Sequence, residues 1–287
     1  MDKKPDHHFS HASLYPKLGV LLANLGSPSS PDAVGLRSFY SEFLADARVI
    51  EVPRSIWYGI LYAFILPFRP RVVAQQYQNI WTEKGSPLHV YSNELGCQLN
   101  QALEEHFGVG SVKLVVGMRY GVPSIDSALA ELRKARVKNL LVLPLYPQAA
   151  AATTASTFDA VSRALKSWRY VPHIRMVMGY HDEEKYIAAL CRSIEQYWSQ
   201  YQNDRVDVLL LSFHGVPRKT LEAGDPYHCF CLKTARLVAE KLGLEFYKED
   251  EAFHWRNQEK EARGHGQPKF AVSFQSRFLF AETYWRK

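Results

Sequence analysis

The sequence predicts an α/β protein whose parallel sheets are covered by helices, and three observations predict it. Short, nearly continuous apolar runs recur at residues 18–25, 112–118, 139–145 and 208–213. Between them lie segments whose apolar residues repeat at helical spacing, and alternation of this kind implies parallel strands joined by helical crossovers. The 287-residue chain is 47% apolar and 22% charged, which is a core-forming composition long enough for two domains. The alternation divides it into two similar halves, 18 to about 170 and 171 onward.

Charge and cysteine usage narrow the class. The formal charge is +6, but Lys and Arg are spread along the chain and no RNA-binding or zinc-finger signature occurs, so no nucleic acid partner is expected. The basic excess points instead to an anionic small molecule or a membrane surface. Cys97, Cys191, Cys229 and Cys231 are too few and too irregular for a disulfide framework, which favours a reducing, cytoplasmic compartment. The first 17 residues lack the apolar core of a signal peptide, so export is not expected.

Residues 18–25 (LGVLLANL) read as a first buried strand, followed by GSPSSPDA, a turn and helix start whose Gly and Ser could receive an anion at the helix N-terminus. Neither G-x-G-x-x-G nor a P-loop is present, so nucleotide binding has no specific support. Residues 34–44 then form a helix with one apolar face. The stretch 55–68 (SIWYGILYAFILPF) is the most apolar of the chain. Its 14 residues fall short of the roughly 18 to 20 needed to span a bilayer. A buried helix is the expected reading, and an exposed lip that covers a ligand or rests on a membrane is the alternative.

Arg69 and Tyr77 follow, eight residues apart and so on one side of a helix, where a cation and a phenol suit a carboxylate ligand. Ser86 lies in a Gly-Ser-Pro turn before a helix at 94–107. The strand at 112–118 ends in a second Arg-Tyr pair, Arg119 and Tyr120. A helix at 124–136, a strand at 139–145, a Thr-rich loop, a helix from 157, a strand at 173–180 and a long helix at 182–200 complete the approach to DVLLLSFHGVP at 207–217. There an apolar strand expected to be buried on both faces delivers His214 into a Gly-x-Pro turn, at the strand end where open α/β sheets bind ligands. A helix at 226–242 ends at Gly243, a polar stretch occupies 248–268, and a last strand lies at 270–274.

Six strings occur in order: LLANLGSP (21–28), KGSPL (84–88), LPLYPQ (143–148), LSFHGVP (211–217), GDPYHC (224–229) and SFQSRF (273–278). Together they resemble the ferrochelatases, which insert ferrous iron into protoporphyrin IX to form protohaem. The resemblance implies two Rossmann-like, chelatase-type domains with parallel sheets, at 15–170 and 171–287, and a porphyrin cleft between them. It implies that His214 handles the metal and takes a pyrrole proton, and that Arg69, Tyr77 and Ser86 hold the porphyrin, with Arg119 and Tyr120 as a further cleft pair. It equates residues 57–68 with the hydrophobic lip that covers the macrocycle and can make peripheral membrane contact. Protoporphyrin IX and ferrous iron are the implied partners, no cofactor is needed beyond the substrate metal, and no iron-sulfur cluster is expected.

The chain departs from the family's pattern after QSRF, where nine residues follow in place of some tens. The expectation is an incomplete second domain lacking the glutamate that faces the histidine, with activity far below that of a longer relative. An inactive or porphyrin-binding remnant is the competing reading.

Overall fold

The computed structural model describes residues 16–200, 206, 208–246 and 268–275. Asp207, nearly all of the polar stretch at 248–268 and the end from residue 276 lie outside them. The chain divides into two compact units: the described residues up to Tyr146 with Ala151–Met178 form one, and Pro147–Ala150 with those from Gly179 onward form the other.

The first unit is built on four parallel strands, β1 (Leu18–Asn24), β2 (Val112–Met118), β3 (Asn139–Pro144) and β4 (His173–Met176), in the order β2-β1-β3-β4. Leu18 stands opposite both Val112 and Asn139. Alternate residues of the central strands feed opposite faces, as the two-residue period of a strand requires. Leu21, Ala23 and Val142 pack with Leu129 and Leu132 of α5 (Ile125–Lys134) and Val161 of α6 (Ser156–Leu165). Val20 and Leu22 pack with Leu99 and Leu103 of α4 (Pro87–Phe107). Leu21 and Leu22 are fully buried, and each such side chain stabilises the fold by about 1.5–3 kcal/mol. The continuous apolar run of β1 thus reflects burial on both faces.

Three further helices extend this unit. Asp32 caps α1 (Ala33–Phe43), its carboxylate accepting from Val34 N and Gly35 N at 2.9 and 2.8 Å. The N-terminus of α1 is thus capped by the chain's own carboxylate. Beyond a turn, α2 (Arg54–Ile60), a π-helical turn (Leu61–Ile65) and α3 (Leu66–Ile80) form an almost continuous arm. The π turn stands just before Pro67, which has no N–H to donate to the preceding turn, and such wider turns are a common way of absorbing a break in the ladder.

The arm also corrects the expectation of a buried helix. Leu61 and Leu66 are buried, but Tyr62, Phe64 and Phe68 are 56, 65 and 64% exposed, with Ile56, Tyr58 and Ile60 beside them in the solvent. Its composition is that of a core helix, yet only one narrow stripe meets the unit. An apolar run alone does not distinguish the two.

The second unit holds β5 (Val208–His214), β6 (Glu245–Phe246) and β7 (Lys269–Gln275), parallel and in the order β5-β7-β6. Ile187 and Cys191 of α7 (Glu184–Gln200) pack on Val238 of α9 (Tyr227–Leu242). Leu209, Leu211 and Phe270 meet Ala239 and Trp198. Gly243 closes α9 in the left-handed conformation expected of a glycine C-cap. The expectation that β5 is buried on both faces does not hold among the described residues, since Val208 and Leu210 remain 40 and 56% exposed. The described helices whose side chains join its core cluster, α7 and α9, account for the burial of Leu209 and Leu211 alone.

Candidate functional site

In the second unit His214 is the last residue of β5 and stands in register with Gln275 of β7. The next amide, Gly215 N, donates to the Gln275 carbonyl at 2.5 Å, so the sheet ladder continues through the residue after the imidazole. A loop through α8 (Arg218–Glu222) then leads to the next helix. Asp225 Oδ1 accepts from Tyr227 N at 3.0 Å, which sets the start of α9. The Tyr227 phenol meets the backbone of His214 and the Cys231 thiol, and burial pushes that thiol up to about 12.

Desolvation pulls the His214 imidazole below the ordinary 6.5, although the residue is exposed. The ring is therefore neutral at pH 7, able to accept a proton or to ligate a divalent metal. His228 is lowered by the same cause and stacks on Phe274 with centroids 4.9 Å apart. Phe274 in turn lies 5.8 Å from Phe213. Sequence reasoning did not single out His228. Its position inside GDPYHC, at a helix start beside a strand end, was the available signal. Among the described residues no group of three His, Cys, Asp or Glu side chains forms a metal site.

The residues expected to bind a carboxylate lie in the first unit. Arg69 is exposed on α3, and Tyr77, half-buried two turns later, is raised by desolvation and by Tyr40 of α1 beside it. Ser86 is buried at the N-terminus of α4, directly after a tight turn in which Thr82 and Gly85 exchange backbone hydrogen bonds at 3.0 and 2.9 Å. Pro87 takes the first helical position, where its missing N–H costs nothing, so α4 starts seven residues earlier than the periodicity alone suggested.

Arg119 and Tyr120 are placed differently from this group. Tyr120 is 1% exposed and its hydroxyl donates to Asp46 Oδ2 at 2.8 Å. The Arg119 guanidinium pairs with Asp46, donates to Ser156 Oγ at 2.7 Å, and lies 4.4 Å from the centre of the Tyr120 ring. Ser156 Oγ donates to the same Asp46 oxygen at 2.6 Å. These polar groups are directed at protein partners rather than outward. Asp46 and Ser156 carry no sequence motif; the one sits in the bland run ADAR and the other directly after the small-residue run AATTA, and only the fold brings them together.

At the carboxyl edge of β1, Gly26 adopts φ +96°, and an added Cβ there would stand 1.9 Å from the Tyr120 carbonyl oxygen. Only glycine lets the two strand ends approach so closely.

Two α/β units with parallel sheets, one with a strand ending in a neutral histidine and the other with an exposed apolar arm that carries an arginine, agree with a chelatase-type fold. The Ferrochelatase family model matches residues 17–287, and the chain belongs to the ferrochelatase family. It is 49% identical over 228 residues to a ferrochelatase of Nitrosococcus oceani, covering 79% of this chain and 61% of that one. A ferrochelatase of Thioalkalivibrio sulfidiphilus is 46% identical over 94% of this chain and 66% of its own length. For one of Pseudoalteromonas atlantica the values are 40%, 97% and 70%. The chain thus spans about two thirds or less of the length of the first two relatives.

Proposed function

We propose that the chain acts as a ferrochelatase, a lyase-class enzyme that inserts ferrous iron into protoporphyrin IX to give protohaem. The observation that supports this reading best is the family match, which runs through both units and includes His214 at the carboxyl end of β5. In the reaction two pyrrole N–H bonds break, two protons leave and iron takes their place on the nitrogens. A neutral imidazole accepts such a proton near neutral pH, and it also binds the incoming divalent ion. His214 has both roles in this account. No electron is transferred, so the reaction calls for no redox cofactor.

Arg69 pairs with a porphyrin propionate, assisted by Tyr77 and by Ser86 at the start of α4. A charged, planar guanidinium suits a carboxylate better than any neutral donor. Arg119 and Tyr120 contribute from behind, through Asp46. The exposed apolar side chains of the arm cover one face of the macrocycle or rest on a membrane surface, which large exposed apolar patches commonly do. None of the described helices is long and apolar enough to cross a membrane. The four unpaired cysteines favour a cytoplasmic location for such surface contact.

The experiment is anaerobic incubation of the purified chain with protoporphyrin IX and ferrous iron, with haem measured as it forms. Haem formation that saturates in porphyrin supports the reading. Porphyrin binding without haem would favour the remnant reading instead.

A further inference from the structure

The turn between α1 and α2 gathers more hydrogen bonds than a connecting turn requires. Asp46 Oδ1 accepts from Arg48 N at 2.8 Å, an Asx turn that fixes the loop's own shape. Its Oδ2 receives Tyr120, Ser156 and Arg119 from the carboxyl edge of β2 and the start of α6. Arg48 reaches α6 as well, with Nε and Nη2 on the two Asp159 oxygens at 2.6 and 3.1 Å. The same turn holds the root of the arm. Arg54 donates to the Ala45 and Ile50 carbonyls at 3.1 and 2.5 Å, and Trp57 Nε1 donates to the Leu44 carbonyl at 2.6 Å.

We propose that Asp46 is a positioning residue. Through its turn it ties the root of the apolar arm to the strand end at Arg119 and Tyr120, and so sets the orientation in which Arg69 and Tyr77 meet the porphyrin. The claim that porphyrin is what they meet rests on the function proposed above. Three donors and one cation converge on a carboxyl group only 8% exposed. Desolvation alone would raise its pKa, but the bonds from Ser156, Arg48 and Tyr120 and the Arg119 charge outweigh it, and the carboxyl is held below its ordinary value. It is therefore ionised at neutral pH, the form that can serve all four partners.

The test uses the full chain labelled with 5-fluorotryptophan, the Trp57 fluorine signal being assigned by its loss in Trp57→Phe. In the ligand-free protein, Asp46→Asn and Ser156→Ala should both move the Trp57 signal while leaving that of Trp198, on α7 of the second unit, in place, and Asp46→Glu should return it toward the original position. With porphyrin and iron, Asp46→Asn should raise KM for protoporphyrin about tenfold with kcat within about twofold, the pattern of lost binding rather than lost chemistry. If Asp46→Asn does not fold, Ser156→Ala, which keeps the charge pair, decides alone. An unmoved Trp57 signal in the folded variants overturns the proposal. Should the unsubstituted chain form no haem, the proposed function fails while the Trp57 signal still decides the positioning claim.

Discussion

His214 and Gln275 face each other at the last rung of the β5–β7 pair, and the ladder is closed just beyond them by Gly215 N on the Gln275 carbonyl. The imidazole thus stands on a fixed backbone rather than on a free loop. Catalytic groups held by regular elements keep their geometry better than those on loops, so its chemistry is open to direct tests.

Since desolvation lowers the His214 pKa below 6.5, the base form persists to lower pH than for a free imidazole. The acid limb of kcat/KM should have its midpoint below pH 6.5, with activity lost as pH falls through the folded value. A midpoint above 7 would contradict the assignment of His214 as the proton acceptor.

Arg69→Ala should raise KM for protoporphyrin by about tenfold or more with little change in kcat, because a charge-assisted bond to a propionate is made alike in ground and transition states and is typically worth about 1.5–3 kcal/mol. Steady-state kinetics would check it. A fall in kcat at constant KM would place Arg69 in the chemical step instead.

Much of this was legible in the sequence, and the parts that were not share a cause. The strands β1, β2 and β3 announced themselves because packing on both faces leaves a nearly unbroken apolar run. The same rule misread β5, whose Val208 and Leu210 stay exposed, and the arm, whose Tyr62 and Phe64 point outward despite a core-like composition. His214 and Arg69 were singled out because a motif or a spacing carried them. Asp46 was not, since Arg119 and Ser156 reach it from 73 and 110 residues away, and no local pattern encodes such a meeting.

The arm predicts a surface effect separable from stability. Phe64→Glu changes a side chain that is 65% exposed, so thermal stability should move by less than about 0.5 kcal/mol. Binding to phospholipid vesicles, measured by co-sedimentation, should fall several-fold. Unchanged vesicle binding would argue that the arm covers the macrocycle only.

A stability test turns on His181, which stacks on Phe230 at 3.7 Å and whose Nε2 has no hydrogen-bond partner among the described residues. Desolvation lowers its pKa; Asp182 opposes this and Lys233 adds to it. A depressed folded pKa means that the unfolded chain binds the proton more readily, so stability is full above about pH 6.5 and declines as pH falls below it. Melting temperature followed from pH 7.5 to 5 should show that decline, and His181→Phe should make it shallower. An identical slope in the variant would remove His181 from the account.

Gly26→Ala should destabilise the first unit by about 3 kcal/mol or more, because the positive φ and the 1.9 Å approach to the Tyr120 carbonyl both exclude a side chain. Urea unfolding would measure it. A loss below about 0.5 kcal/mol would show that the strand ends are free to separate.

Haem formation in the unsubstituted chain and in His214→Ala, compared under anaerobic conditions with ferrous iron and protoporphyrin IX while porphyrin binding is followed by fluorescence, decides whether His214 carries the reaction. Haem is expected from the first, none above background from the second, and closely similar porphyrin affinity in both. Undiminished haem formation by His214→Ala would contradict that role.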